Sequence, residues 1–269
     1  LSGSTASGTL TANISGSGTT YQVSVSGMAG NGTVVAALPG NIVQDLAGNG
    51  NTASTSTDNS VDFDNSHPTV TINQASGQSD PTRFSPIIFD VLFSETVTGF
   101  SAEDVDLSAS SAPGTLSAVV TGSGASYQVT ISGMSGSGSI IPNISASGAR
   151  DAAMNGNTAS TSTDNSVTYD ITGPTVTINQ AAGQPDPTNT APVRFDVVFS
   201  EPVSGFGLED LSFTGIDGPP VFFITGSGAN YTVHVLSIQD GHTVTAVVLP
   251  FAAQDTAGNL SAASTSTDN

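Results

Sequence analysis

Pro86 to Glu95, PIIFDVLFSE, alternates apolar and polar positions without a break, so that Ile87, Phe89, Val91 and Phe93 share one face of a strand. Val193, Phe195, Val197 and Phe199 repeat the pattern further on. That face predicts core. Seven runs of this kind can be read between Pro68 and Gly173, near 69–74, 86–94, 104–109, 115–121, 126–132, 139–145 and 165–170. Clusters of Gly, Ser, Asn and Pro separate them and suit turns. The glycines of TGSGASY and SGMSGSGS, and Asp240-Gly241 in SIQDGHT, provide the positive φ that hairpin turns need. No segment sustains an apolar period of 3.6. The expectation is an all-β chain, and about seven short strands in about 100 residues is the pattern of an immunoglobulin-like β-sandwich.

The pattern recurs. PTVTINQASGQ starts at Pro68 and PTVTINQAAGQ at Pro174, 106 positions on, while SGSGTTYQVSVSGM (15–28) returns as TGSGASYQVTISGM (121–134) and TGSGANYTVHVLSI (225–238). QDLAGNGNTASTSTDNS (44–60) is rewritten as RDAAMNGNTASTSTDNS (150–166) and QDTAGNLSAASTSTDN (254–269). Self-similarity at a fixed period marks a repeat architecture. The expected units are 1–66, which lacks its opening third, 67–172, which is complete, and 173–269, which lacks its last strand. The chain opens without a charged-then-apolar leader and reads as a piece of something longer.

Composition narrows the function. The formal charge of −19 comes from 22 acidic residues against three arginines and no lysine. It argues against nucleic acid and anionic membrane surfaces as partners and favours cations. With no cysteine there is no disulfide framework, no thiolate metal site and no cysteine nucleophile. No long apolar run suggests insertion into a membrane.

FSETVTGFSAEDVDLS, FSEPVSGFGLEDLSF, the DxAGN-type loops and VTYDITGPTVTI resemble the bacterial Ig-like repeats found in tandem in large secreted adhesins and other surface proteins. The resemblance spans the chain. It implies an extracellular extender rod, often rigidified by Ca²⁺ at its domain junctions, whose partners are the neighbouring repeats of the same polypeptide.

Strand parity leads to candidate ligands by a separate route. If seven strands run antiparallel, connections two-three, four-five and six-seven meet at the end where the linker enters. That end collects Asp64 from the linker, Glu95, Glu103 and Asp104 from connection two-three, and Asp151, Asn155 and Asn157 from connection six-seven. The next junction offers Asp170, Glu201, Glu209, Asp210, Asp255 and Asn259. Asp62 and Asp106 have no acidic counterpart there and are weaker candidates. Carboxylates, amides and carbonyls clustered without lysine suit Ca²⁺ better than Zn²⁺ or Mg²⁺. A second reading stays open for Asp45, Asp151 and Asp255: each accepts amides a few residues on and holds a tight turn, with Gly48 or Asn155 supplying the unusual φ. Asp58, Asp164 and Asp268 read as solvated or turn-capping.

Catalysis is not expected, because the three histidines, His67, His234 and His242, occupy no equivalent positions and the paired acids at 103–104 and 209–210 point to opposite strand faces. The expected function is a non-catalytic stalk. Two alternatives remain: a filament or matrix subunit joined head to tail by strand donation between incomplete units, and a glycan-binding module, for which the absence of tryptophan is a poor start.

Overall fold

The computed structural model describes residues 1–216 and 218–269. The chain is all-β, with short 3-10 turns at Ala102–Asp104 and Leu208–Asp210. The first segment carries β1 (Gly8–Ser17), β2 (Thr20–Met28), β3 (Gly32–Val35) and β4 (Ser60–Phe63). Antiparallel pairs join β1 to β2 and β3 to β4.

The middle segment carries β5 (Val70–Gln74), β6 (Ile87–Val97), β7 (Val105–Asp106), β8 (Gly114–Met134), β9 (Gly138–Ile140), β10 (Asn143–Ile144) and β11 (Val167–Tyr169). The boundaries differ from those expected in two places. The runs at 115–121 and 126–132 form one continuous extended element, β8, which folds back at Gly124 (φ 70°) so that the Ser117 and Ser132 hydroxyls lie 3.2 Å apart. The run at 139–145 divides into β9, which pairs with β11, and β10, which pairs with β7; Pro142, lacking an N–H, sits between them.

One layer, β5-β6-β8, turns Ile72, Phe89, Val91, Val129 and Ile131 inward, and Ile140, Ile144 and Val167 from the facing strands close over them. These side chains are at most 2% exposed. Phe93, Phe100 and Tyr127 finish the core edge-to-face, with centroids 5.2–5.8 Å apart, and the Tyr127 hydroxyl donates to the Val97 carbonyl at 3.2 Å. The result is a β-sandwich. The last segment repeats it with β12 (Val176–Gln180), β13 (Val193–Phe199), β14 (Leu211–Thr214), β15 (Phe222–Ser227), β16 (Asn230–Val235) and β17 (Thr245–Val248). Its sheets are ordered β12-β13-β16-β15 and β14-β17, and Phe199, Phe206 and Tyr231 rebuild the aromatic cluster.

The recurring ASTSTDN stretch is a seam between the layers. Ser160 N–H donates to the Ile144 carbonyl and Thr161 N–H to that of Val70, while the Ser160 and Ser162 hydroxyls accept from Ile144 and Ile72 N–H. Ser264, Thr265 and Ser266 make the equivalent bonds to Val248, Val176 and Ile178. Small hydroxyl side chains thus satisfy backbone groups that no strand pairs, as buried polar groups require.

Candidate metal centres at the junctions

Glu95 has the parity of Ile87, Phe89, Val91 and Phe93, so β6 carries it on the core-facing side, beyond the last aromatic. The pairing of β6 with β8 loses register between Leu92 and Val97, and Glu95 lies in that irregular stretch. Glu201 stands two residues past the end of β13 with the same parity. Each glutamate therefore emerges at the end of its sandwich, where the incoming linker and a turn loop also arrive.

The loop is built locally. Asp151 Oδ1 accepts from Asn155 N–H at 2.8 Å and Oδ2 from Asn155 Nδ2 at 2.9 Å; Asp255 and Asn259 repeat both bonds, at 2.8 and 2.9 Å. Asp45 and Asn49 do the same in the first segment. The residue requiring positive φ is Gly48 (84°), Met154 (71°) or Gly258 (86°). The expectation that Asn155 supplies it is corrected: the strained position is Met154, one residue earlier.

The asparagine also reaches out of its loop. Asn155 Nδ2 donates to the Asp64 carbonyl at 3.1 Å, and Asn259 Nδ2 to the Asp170 carbonyl at 2.9 Å, so one amide ties each loop to the linker before it. His67, from the first linker, brings Nδ1 to 2.7 Å from the Gly156 carbonyl.

These contacts bring three carboxylates together twice. Asp64, Glu95 and Asp151 place oxygens within 4.8 Å of one another, and so do Asp170, Glu201 and Asp255. Asp151 and Asp255 are 3% and 5% exposed. Burial raises the Glu95 carboxyl above its ordinary value, helped by the charges of Asp151 and Asp64; burial, Asp255 and Asp170 do the same to Glu201. Burial also pushes Asp151 up, but the hydrogen bonds from the Asn155 side chain and the loop N–H groups outweigh it and hold the carboxyl below its usual range. Asp151 Oδ2, with Asn155 Nδ2 as its donor, keeps a lone pair beyond the turn bond.

The other candidates go elsewhere. Asp104 Oδ2 accepts from Ser101 N–H and Oγ at 2.8 and 3.0 Å, and Asp210 Oδ2 from Gly207 N–H at 2.7 Å. Both cap 3-10 turns and stand outside the carboxylate triads. Asn155 and Asn259 serve as amide donors. Asp106 accepts from Ser108 N–H and Asp62 from the Thr33 hydroxyl, Asn157 ties its own loop through Ala149 N–H and the Ser145 carbonyl, and Asp164 gives its carbonyl to Gln74 N–H in the seam. Among the described residues, no helix is long and apolar enough to cross a membrane.

Residues 64–169 match the family model of the bacterial Ig-like domain. The matched span begins at Asp64, the linker carboxylate, and ends at Tyr169, one residue before its counterpart Asp170. The Ig-like segment thus contains one whole triad. No curated protein matches the chain.

Proposed function

We propose that the chain is a non-catalytic extender of a bacterial surface or secreted adhesin-like protein, built of tandem seven-stranded Ig-like units held in line by Ca²⁺ at their junctions. The match to the bacterial Ig-like domain over residues 64–169 supports a structural or surface module. The observation that carries the reading is the triad made twice, each time from a linker, a strand end and a turn loop. Its donors are all oxygen, with no lysine in the chain to neutralise them, which fits a hard cation of calcium's kind. Asp64, Glu95 and Asp151 would hold one ion and Asp170, Glu201 and Asp255 another. A bound cation supplies shared coordination where three carboxylates otherwise repel. Affinities of extracellular calcium modules, about 10⁻⁴ to 10⁻³ M, would fill such sites after export and leave them empty in the cytosol.

Calorimetric titration of the chain with Ca²⁺ tests this. Two sites are expected, one remaining in Glu95→Gln and none in the Glu95→Gln/Glu201→Gln double variant; no heat from the unsubstituted chain overturns the calcium reading.

A second reading, assembly by strand donation, is favoured by one observation. Among the described residues, the edge of β2 away from β1 has no partner strand, whereas the equivalent edges of β8 and β16 are taken by β6 and β13. Negative-stain microscopy decides between them: fibres support the filament, and single short rods the spacer.

A further inference from the structure

The outward face of β12-β13-β16-β15 carries a row of side chains, Arg194, His234 and Phe223, that the middle segment lacks, whereas Asp196 in the next row has its equivalent in Asp90. Register sets Arg194 opposite His234, and His234 opposite Phe223, in one row across three strands. The Phe223 and His234 rings stack with centroids 4.4 Å apart and planes 3° from parallel, and the Thr225 hydroxyl lies 3.0 Å from His234 Nε2. Two residues along, about 7 Å away, runs a second row of Asp196, Thr232 and Thr225, in which the Thr232 hydroxyl donates to Asp196 Oδ1 at 3.0 Å. Arg194 and Phe223 are exposed. Each row borders a shallow depression, one walled by Gln184, Arg194 and His234, the other by Asp196, Asn230 and Thr232.

The fold does not require this equipment. The first row in the middle segment is Ile88, Thr130 and Val119, with Ile88 opposite Thr130 in the same register. One of the chain's three arginines and one of its three histidines therefore meet at a place where an aliphatic and a threonine build the same sheet.

We propose that this face binds a glycan containing uronic acid. The guanidinium of Arg194 presents a fork that matches a carboxylate in bidentate fashion. The ring pair offers an apolar surface to the C–H face of a pyranose, and Asp196, Asn230 and Thr232 accept from or donate to its hydroxyls. The mixture of charges selects the class. Asp196 in the next row, on a chain of charge −19, repels a phosphate polyanion, and a neutral sugar would leave Arg194 without a counter-charge. A saccharide long enough to cover both rows uses every group named. The site does not depend on calcium at the junctions.

The test is titration calorimetry of the full chain, in chelator, with a tetrasaccharide carrying a single uronic acid and with its methyl ester as probes. The acid is expected to bind one per chain and the ester at least about tenfold more weakly, since one charge-assisted pair is lost. Arg194→Gln should bind acid and ester alike, and Phe223→Thr should weaken both. Chemical-shift mapping on the unsubstituted chain guards against variants that misfold, because the Arg194, Phe223 and His234 signals must move on titration. Absence of binding, equal binding of acid and ester by the unsubstituted chain, indifference to Arg194→Gln, or shifts confined to other residues each overturn the proposal.

Discussion

The first and middle segments share much of their sequence but differ in what they bury. Leu38, Val43 and Val61 are 49%, 60% and 70% exposed, while Ile144, Ala149 and Val167, at the equivalent positions, are at most 1% exposed. Tyr21 is 58% exposed, and its equivalent Tyr127 packs between Phe93 and Phe100. The difference is the β5-β6 layer, which brings the phenylalanines and covers the facing strands. The turn loop behaves otherwise: Asp45 binds Asn49 in the first segment as Asp151 binds Asn155 in the middle one. Packing here is tertiary and the loop is local, so the turn reading and the ligand reading of these aspartates are not rivals. All three make the turn, and Asp151 and Asp255 also join carboxylates that only the fold delivers.

The largest expected effect breaks the comparison at its core. Ile144→Ala should destabilise the middle segment by about 2–5 kcal/mol, whereas Leu38→Ala should stay within about 0.5 kcal/mol, as read from separate calorimetric transitions. Equal losses would mean that the first segment hides its apolar face after all.

Next comes calcium. With Kd values of about 10⁻⁴ to 10⁻³ M, ~10 mM Ca²⁺ should stabilise each junction by about 1.4–2.7 kcal/mol. Glu95→Gln sharpens this by reversing sign. In chelator it removes a repelled carboxylate and should raise the melting temperature of the middle segment; in calcium it should lower it relative to the unsubstituted chain. A shift in the same direction under both conditions would make Glu95 a bystander.

Smaller still, Met154→Gly should stabilise by about 0.5–1 kcal/mol, because Met154 holds a φ of 71° where the sister loops use glycine and is 65% exposed. A denaturant midpoint that falls would refute the strain.

Acidity gives the finest test. In chelator, the raised carboxyls of Glu95 and Glu201 contribute stability that is fully present below their ordinary 4.5 and lost as pH rises through the folded value. Asp151, held low, contributes stability present above 3.8 and lost as pH falls through its folded value. Melting temperature without metal should therefore peak near pH 4 and fall toward neutrality, and the neutral-side fall should shrink in Glu95→Gln/Glu201→Gln.

The strand faces and the meeting of linker, strand end and loop were legible because parity and chain order carry them, as for Glu95 after Phe93. Asp104 and Asp210 were not separable from Glu95 and Glu201 by position, since capping depends on which way a short 3-10 turn points its carboxylate. Met154 was masked by the asparagine beside it, although lining it against Gly48 and Gly258 marks the strained position. The seam role of ASTSTDN needs two sheets to be seen at once. Phe223 and His234 did leave a signal, a departure from Val119 and Thr130 in otherwise similar strands, but opposing them takes the register of β15 and β16.

The central claim, that carboxylate triads set the geometry of the junctions, is tested most directly by small-angle scattering of the chain in calcium and then in chelator, alongside Glu95→Gln/Glu201→Gln. The account predicts a longer, stiffer particle in calcium, loosened by chelator, with the variant indifferent to either. Identical profiles in both conditions, or a calcium response that survives in the variant, would contradict it.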